Sequence, residues 1–164
     1  MGSLSFVIQD ERVDKVLDLA EHYDKIYRYC YCKLKQRELA EDITQETFLR
    51  FLNHGHDFHA AHALPYLYTI ARNLCVDEYR RKKPLLAIEE EQIEDIGAEE
   101  KMLIGISIRI ALDELEEEER ELLLLRYVNE VPVYVICRIF GLSRFSVYRK
   151  LKSALQKLEE SLKE

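Results

Sequence analysis

Little in this sequence interrupts a helix. Its 164 residues include only three prolines and five glycines, and tryptophan is absent. No apolar run is long enough to span a bilayer, and the N-terminus lacks a signal-peptide pattern, so a cytosolic protein without membrane insertion is expected. Because 48% of the residues are hydrophobic, the chain can bury cores, which argues against global disorder.

Several chemical signatures are missing as well. The sequence has no glycine-rich phosphate loop and no nucleophile motif, so it predicts neither an enzyme nor a cofactor. The four cysteines (Cys30, Cys32, Cys75 and Cys137) show no paired CxxC spacing. A disulfide framework or zinc ribbon is therefore not expected, and buried or half-buried thiols are.

Acidic residues are absent from one long stretch. The chain carries 31 acids and 24 bases, a net charge of -7, yet residues 131–158 contain no Asp or Glu. Six bases lie there: Arg138, Arg144, Arg149, Lys150, Lys152 and Lys157. A cationic end on an anionic chain suggests that this end binds a polyanion.

The positive evidence is helical periodicity, and no alternating strand pattern accompanies it. Apolar positions spaced for helices begin at Val13 and predict helices over about 13–34, 38–53 and 65–83. A second helical block is predicted over 102–115, 117–128, 132–140 and 143–162. The stretch between the blocks holds seven acids from Glu89 to Glu100 and no base, as a poorly ordered linker does.

These patterns predict an all-α fold of two small helical domains joined by an acidic linker. The predicted bounds are residues 1–84 for the first domain, 85–101 for the linker and 102–164 for the second domain.

Residues 132–162 have the layout of a helix-turn-helix. Gly141 can end one helix in the left-handed conformation, and Ser143 can cap the next. On the final helix a buried stripe is predicted, and Arg149 points away from it, flanked by Phe145, Lys152 and Ser153. This acid-free face suits phosphate contacts and base readout in a major groove. The predicted stripe comprises Val147, Leu151, Ala154, Leu155 and Leu158.

Two other helices carry distinctive outward faces. The third helix presents Arg72, Asn73 and Arg80 with Tyr66 at its flank, and cations with aromatics suit single-stranded nucleic acid. The second helix presents Asp42, Gln45 and Glu46 around Leu49. Carboxylates repel DNA, whereas an apolar anchor among polar groups favours a protein partner.

These three surfaces, in this order, resemble a bacterial RNA polymerase sigma factor of the extracytoplasmic-function (ECF) group. The segment "AEDITQETFLRFL" resembles region 2.2, "PYLYTIARNLCVDEYRRKK" resembles regions 2.3 and 2.4, and residues 111–162 resemble region 4. The resemblance implies promoter-specific transcription initiation without catalysis of its own. It also implies three partners: core RNA polymerase (its clamp helices and flap), promoter DNA and an anti-sigma factor.

The resemblance assigns three sets of residues. Core polymerase would be bound by Asp42, Gln45, Glu46 and Leu49. The non-template strand of the -10 element would be bound by Tyr66, Arg72, Asn73, Arg80 and Arg81. The -35 duplex would be bound by Arg144, Phe145, Ser146, Arg149, Lys150, Lys152 and Ser153.

Two alternatives remain at this point. One is a stand-alone helix-turn-helix regulator that binds duplex DNA as a dimer. The other is a protein-interaction or metal-sensing module, since His54, His56, His59 and His62 lie within nine residues and imidazoles suit zinc, copper or nickel. No metal site is assigned, because a loop rich in polar rings also suits the cradle of a flipped base.

Overall fold

The computed structural model describes residues 11–56, 62–82 and 98–164. These residues form α1 (Glu11–Leu34), α2 (Arg37–Asn53), α3 (Ala63–Lys82), α4 (Ala98–Asp113), α5 (Glu117–Leu123), α6 (Val133–Phe140) and α7 (Arg144–Lys163). A π-helical segment, Leu124–Val128, continues α5, and the described residues include no strand. The predicted all-α class is confirmed.

The chain divides into two compact units, Met1–Asp77 and Glu78–Glu164, and the division falls inside α3. Most of the predicted acidic linker, including Glu89, Glu90 and Glu91, lies outside the described residues. Helix α4 begins at Ala98, four residues before the predicted start at Met102.

The first unit is built from α1, α2 and α3. Tyr29 of α1 and Tyr68 of α3 are both buried, and their rings meet edge to face at 5.7 Å. From α2, Phe48 reaches Tyr23 at a centroid distance of 5.4 Å. The buried face of α2 comprises Ala40, Ile43, Thr44, Thr47, Phe48 and Phe51.

Polar groups in this core are satisfied locally. The hydroxyls of Thr44 and Thr47 donate to the carbonyl oxygens of Ala40 and Ile43, at 2.6 and 2.7 Å. Serine and threonine can pair in this way inside a helix without exposing a buried donor. Ala40, Ile43, Thr47 and Phe51 recur at helical spacing in the sequence, and all four are buried on this face of α2. Among the described side chains of α1, burial starts only at Ile26.

The second unit is built around α5, α6 and α7. Its fully buried side chains include Leu122, Leu125, Ile136 and Val147. The π-helical segment ends at Asn129, whose backbone N–H and side-chain amide both donate to the carbonyl oxygen of Leu124, at 3.0 and 3.3 Å. These two hydrogen bonds hold a turn that is one residue wider than an α-helical turn.

The turn between α6 and α7 has the predicted geometry. Gly141 is left-handed at φ 64°, and Leu142 N–H donates to Cys137 O at 3.0 Å. The hydroxyl of Ser143 accepts a hydrogen bond from the backbone N–H of Ser146 at 3.2 Å, which caps α7. The roles predicted for Gly141 and Ser143 are confirmed.

Candidate nucleic-acid and polymerase interfaces

The outward face of α7 is open to solvent. Arg144, Phe145, Arg149, Lys152 and Ser153 are all exposed, and Phe145 exposes 75% of its surface. The guanidinium carbon of Arg149 lies 6.0 Å from the centroid of the Phe145 ring, at the outer limit of a cation–π contact. Cations, a hydroxyl and an aromatic ring therefore share one accessible side of the second helix of the helix-turn-helix.

Two lysines of the acid-free stretch 131–158 form ion pairs with acids of α5. Lys150 Nζ pairs with Glu118 Oε1, and Lys157 Nζ pairs with Glu119 Oε1, each at 2.5 Å. The hydrogen bond to Lys157 lowers the pKa of Glu119, and the pKa of Lys157 is raised in return. These pairs join α7 to the start of α5.

Ser146 is engaged within the helix cap. Its backbone N–H donates to Ser143, and the two serine hydroxyls are 3.0 Å apart. Of the seven residues predicted for the -35 duplex, Lys150 and Ser146 thus have intramolecular partners, and five lie on the exposed face.

The outward face of α3 carries a second polar and basic stripe. Tyr66, Asn73 and Arg80 are exposed and follow each other at intervals of seven residues, which places them on one side of the helix. Arg72 is half-buried, and Arg81 is exposed with Nη1 3.5 Å from Glu78 Oε1. All five residues predicted for the -10 strand lie on this helix.

A ring cluster adjoins the first turn of α3. The His56 ring lies 4.2 Å from Tyr66, 5.8 Å from His62 and 6.3 Å from His54, centroid to centroid. His54 Nδ1 lies 2.7 Å from Arg50 O, where it donates because a carbonyl oxygen only accepts. The packing of His56 against Tyr66 was not predicted from the sequence.

The described residues contain no group of three or more His, Cys, Asp or Glu side chains arranged to hold a metal ion. His59 and Asp57, which belonged to the histidine loop considered above, lie outside the described residues.

On α2, a mixed stripe faces outward. Asp42, Gln45 and Leu49 are exposed, Leu49 by 55%, and Glu46 is half-buried. Glu46 Oε1 accepts a hydrogen bond from Arg50 Nε at 2.7 Å, which fixes the carboxylate beside Leu49. The predicted apolar anchor, Leu49, and its polar neighbours thus lie on one face of α2.

Helix α4 exposes a series of large apolar side chains that the sequence analysis missed. None of the described side chains of α4 from Leu103 to Ile110 is buried, and five of them are large apolar side chains that are at least 38% exposed. The missed signal was composition: apolar residues occur all round this helix rather than along one stripe. The exposed set comprises Leu103, Ile104, Ile106, Ile108 and Ile110.

The helices, the turn between α6 and α7 and the two compact units define the class of the protein: an all-helical, two-unit protein that carries a helix-turn-helix. Comparison with known proteins gives the family. Residues 19–84 match the family model for Sigma-70 region 2, and residues 106–158 match that for Sigma-70, region 4. The two matches together cover more than two thirds of the chain.

Similar proteins support the same assignment. The ECF RNA polymerase sigma factor SigM of Bacillus subtilis is 28% identical over 153 residues, which cover 90% of this chain and 93% of SigM. The ECF RNA polymerase sigma factor BldN of Streptomyces coelicolor is 30% identical over 136 residues, which cover 74% of this chain and 50% of BldN. The chain belongs to the ECF sigma factors.

Two solved structures share this fold. CnrH, solved with the cytosolic domain of CnrY, aligns with a TM-score of 0.65 at 18% identity, covering 94% of this chain and 90% of that one. RpoE from Bartonella quintana, solved with the anti-sigma factor NepR, aligns with a TM-score of 0.58. None of the described helices is long and apolar enough to cross a membrane.

Proposed function

We propose that this protein acts in the cytoplasm as a promoter-specificity subunit that binds core RNA polymerase through its first domain and reads promoter DNA with both domains. The proposed domains are residues 1–84 and 102–164, with the acidic residues 85–101 as the linker. The observation that carries the proposal is the exposed face of α7 around Arg149, on a stretch (residues 144–158) that contains no acid. It directly follows the Gly141–Ser143 turn in a chain whose two sigma regions match in order.

For the -35 duplex, the proposed readers are Arg149, Lys152 and Ser153, with Arg144 and Phe145 at the start of the helix. Arginine and lysine can contact phosphates or guanine edges, and an exposed aromatic ring can pack on a thymine methyl. Lys150 can contact the -35 duplex only if its ion pair with Glu118 breaks. Ser146 would act indirectly, by stabilising the first turn of α7, where backbone N–H groups can bind a DNA phosphate.

For the -10 element, the proposed contacts are the stripe of Tyr66, Asn73 and Arg80, with Arg72 and Arg81 beside it. An exposed tyrosine gives a stacking platform for an unpaired base, and the arginines can hold the backbone of the strand. Support comes from the packing of His56 on Tyr66, which fixes the orientation of that ring.

For polymerase, the proposed docking site is Asp42, Gln45, Glu46 and Leu49 on α2, facing the clamp helices, while the second domain meets the flap. A negative face would be repelled by DNA and therefore suits a protein partner. This division explains how a chain of net charge -7 can act at promoters: only its reading faces need to be cationic.

The test is to add the purified chain to core RNA polymerase and to sequence the 5′ ends of the transcripts. We expect discrete start sites that core polymerase alone does not use. A triple variant Asp42→Ala, Gln45→Ala, Glu46→Ala should lose polymerase binding, and Asp24→Ala, an exposed acid on α1, is the matched control. Polymerase-independent, symmetric footprints on duplex DNA would instead identify a stand-alone dimeric regulator.

An anti-sigma factor is the second proposed partner. Its proposed contact is the exposed apolar set on α4, because a patch of this kind on a soluble unit favours a protein interface. The anti-sigma factor NepR, solved in complex with the sigma factor RpoE, supports the expectation of such a partner.

The proposed role of the apolar set on α4 can be tested by replacing two of its isoleucines with glutamate. The protein should co-purify with a factor from its own cells that inhibits the reconstituted transcription reaction. The double variant Ile104→Glu, Ile110→Glu should lose that factor and keep polymerase binding. Retention of the inhibitor by the double variant would exclude α4 as the contact.

A further inference from the structure

Two acids at the start of α5 hold lysines of the basic helix α7. Glu118 Oε1 lies 2.5 Å from Lys150 Nζ, and Glu119 Oε1 lies 2.5 Å from Lys157 Nζ. The two lysines are seven residues apart, so both pairs lie on one side of α7. Because the partners are 32 and 38 residues apart in the sequence, the fold of the second unit brings these charges together.

The pair of Glu118 and Lys150 adjoins the exposed face proposed to read DNA. Lys150 directly follows Arg149, so the two side chains are about 100° apart around the helix axis. The side chains of Lys150 and Glu118 are still 37% and 45% exposed. A polyanion in solution can therefore reach the ammonium group, and an exposed ion pair of this kind is weak enough to break.

We propose that Glu118 forms an autoinhibitory contact, which holds Lys150 in place of a DNA phosphate and so lowers the affinity of the free chain for duplex DNA of any sequence. This inference rests on the proposed role of α7 at the -35 duplex and adds a regulatory contact to that site. The carboxylate oxygen at 2.5 Å occupies the position beside the ammonium group that a phosphate oxygen needs. Phosphate contacts supply essentially all of sequence-independent binding, so a lysine that is withheld lowers it.

The contact suits a protein that acts together with polymerase. A genome offers a large excess of non-specific sites, and a chain that bound them tightly would be withdrawn from the pool available to polymerase. Once base contacts seat α7 at a promoter, a DNA phosphate is held close to the helix and can displace the Glu118 carboxylate. The autoinhibitory contact thus acts chiefly on the free chain.

The neighbouring acid Glu117 provides a matched control. It lies beside Glu118 in the first turn of α5, is exposed, and forms no ion pair with another described residue. The substitutions Glu117→Gln and Glu118→Gln remove the same charge from the same helical turn. A difference between the two variants therefore measures the contact with Lys150 rather than the change in net charge.

The experiment measures binding of the full chain, without polymerase, to a fluorescent duplex of random sequence over a range of salt concentrations. Compared with Glu117→Gln, the variant Glu118→Gln should bind about two- to fivefold more tightly at low salt. Its plot of log K against log salt should be steeper by about 0.9, as expected for one more phosphate contact. Adding Lys150→Gln to both variants should abolish the difference, because no released ammonium group remains. Thermal unfolding checks that each variant is folded.

Several outcomes would overturn the autoinhibitory contact: equal affinities of Glu117→Gln and Glu118→Gln, no measurable binding by either, an unchanged salt slope, or a difference that persists with Lys150→Gln. The variant Arg149→Ala separates such a failure from failure of the proposed function. If it loses duplex binding while Glu118→Gln gains none, only the autoinhibitory contact is refuted. If neither substitution changes binding, the role of α7 in DNA binding is refuted as well.

Discussion

Replacing Arg149 by alanine should weaken promoter recognition without weakening the fold. Arg149 is exposed, and its charged end rests near the Phe145 ring rather than against a carboxylate. A bidentate contact from arginine to a base edge contributes about 1–3 kcal/mol to discrimination. Since about 1.4 kcal/mol corresponds to a factor of ten, we expect the holoenzyme to bind its promoter roughly 5- to 150-fold more weakly.

Through its contact with Arg149, the Phe145 ring should contribute less to promoter binding than Arg149 itself. A cation–π contact at an exposed site is worth about 0.5–1 kcal/mol, and 6.0 Å is at the outer limit of its range. Phe145→Ala should therefore cost about fivefold or less through this contact. Any loss beyond fivefold would measure the proposed packing of the Phe145 ring on a thymine methyl.

The assay is equilibrium binding of holoenzyme to a promoter selected from a library randomised in the -35 element. Binding is measured over a range of salt concentrations and compared with a scrambled -35 duplex. A base contact changes the preferred sequence, whereas a phosphate contact lowers the salt slope by about one. Thermal unfolding of each variant checks that the fold is unchanged.

The matched control is Lys163→Ala, which removes the same charge from the same helix about 20 Å further along its axis. It should leave promoter binding nearly unchanged. If both variants lost promoter affinity equally, the change in net charge rather than a contact of Arg149 would explain the loss. Normal -35 selectivity in Arg149→Ala would refute the assignment of α7 as the reading helix.

Three further predictions concern stability. Leu125→Ala removes a fully buried side chain and should cost about 2–5 kcal/mol in chemical unfolding. Gly141→Ala should cost about 1–2 kcal/mol through its φ of 64° alone, because an added Cβ meets no atom within 4 Å; a much larger loss would point to a hidden clash. The Glu119–Lys157 pair should stabilise the fold above the ordinary glutamate pKa of 4.5 and below the ordinary lysine pKa of 10.5. Its contribution is lost as the pH falls through the lowered pKa of Glu119 or rises through the raised pKa of Lys157, so the melting difference between the wild type and Glu119→Gln should shrink at both extremes.

Local chemistry made much of the fold predictable from the sequence. The turn between α6 and α7 needs one residue that tolerates a left-handed backbone and one that caps a helix, and Gly141 and Ser143 have those properties. Of the stripe predicted on α7, Val147, Leu151 and Ala154 are buried as expected, whereas Leu155 and Leu158 are only half-buried. In such segments the residues that fix the structure are neighbours in the sequence.

Contacts between distant residues could not be predicted in the same way. Lys150 and Lys157 lie 32 and 38 residues from their partners, and nothing in the basic segment indicates that acids of α5 neutralise two of its lysines. For the His56 ring a signal did exist, since four histidines lie within nine residues just before Tyr66.

The wide turn at Leu124–Val128 bears on how sequences of this kind should be aligned. Hydrogen bonds spanning five residues accommodate one amino acid more than an ordinary turn, so this segment can absorb an insertion without displacing α6. A homologue with one residue fewer here could keep the same packing by closing a regular turn. A single-position gap at this point should therefore be read as a change of helical pitch, with the residues of α6 and α7 still in structural correspondence.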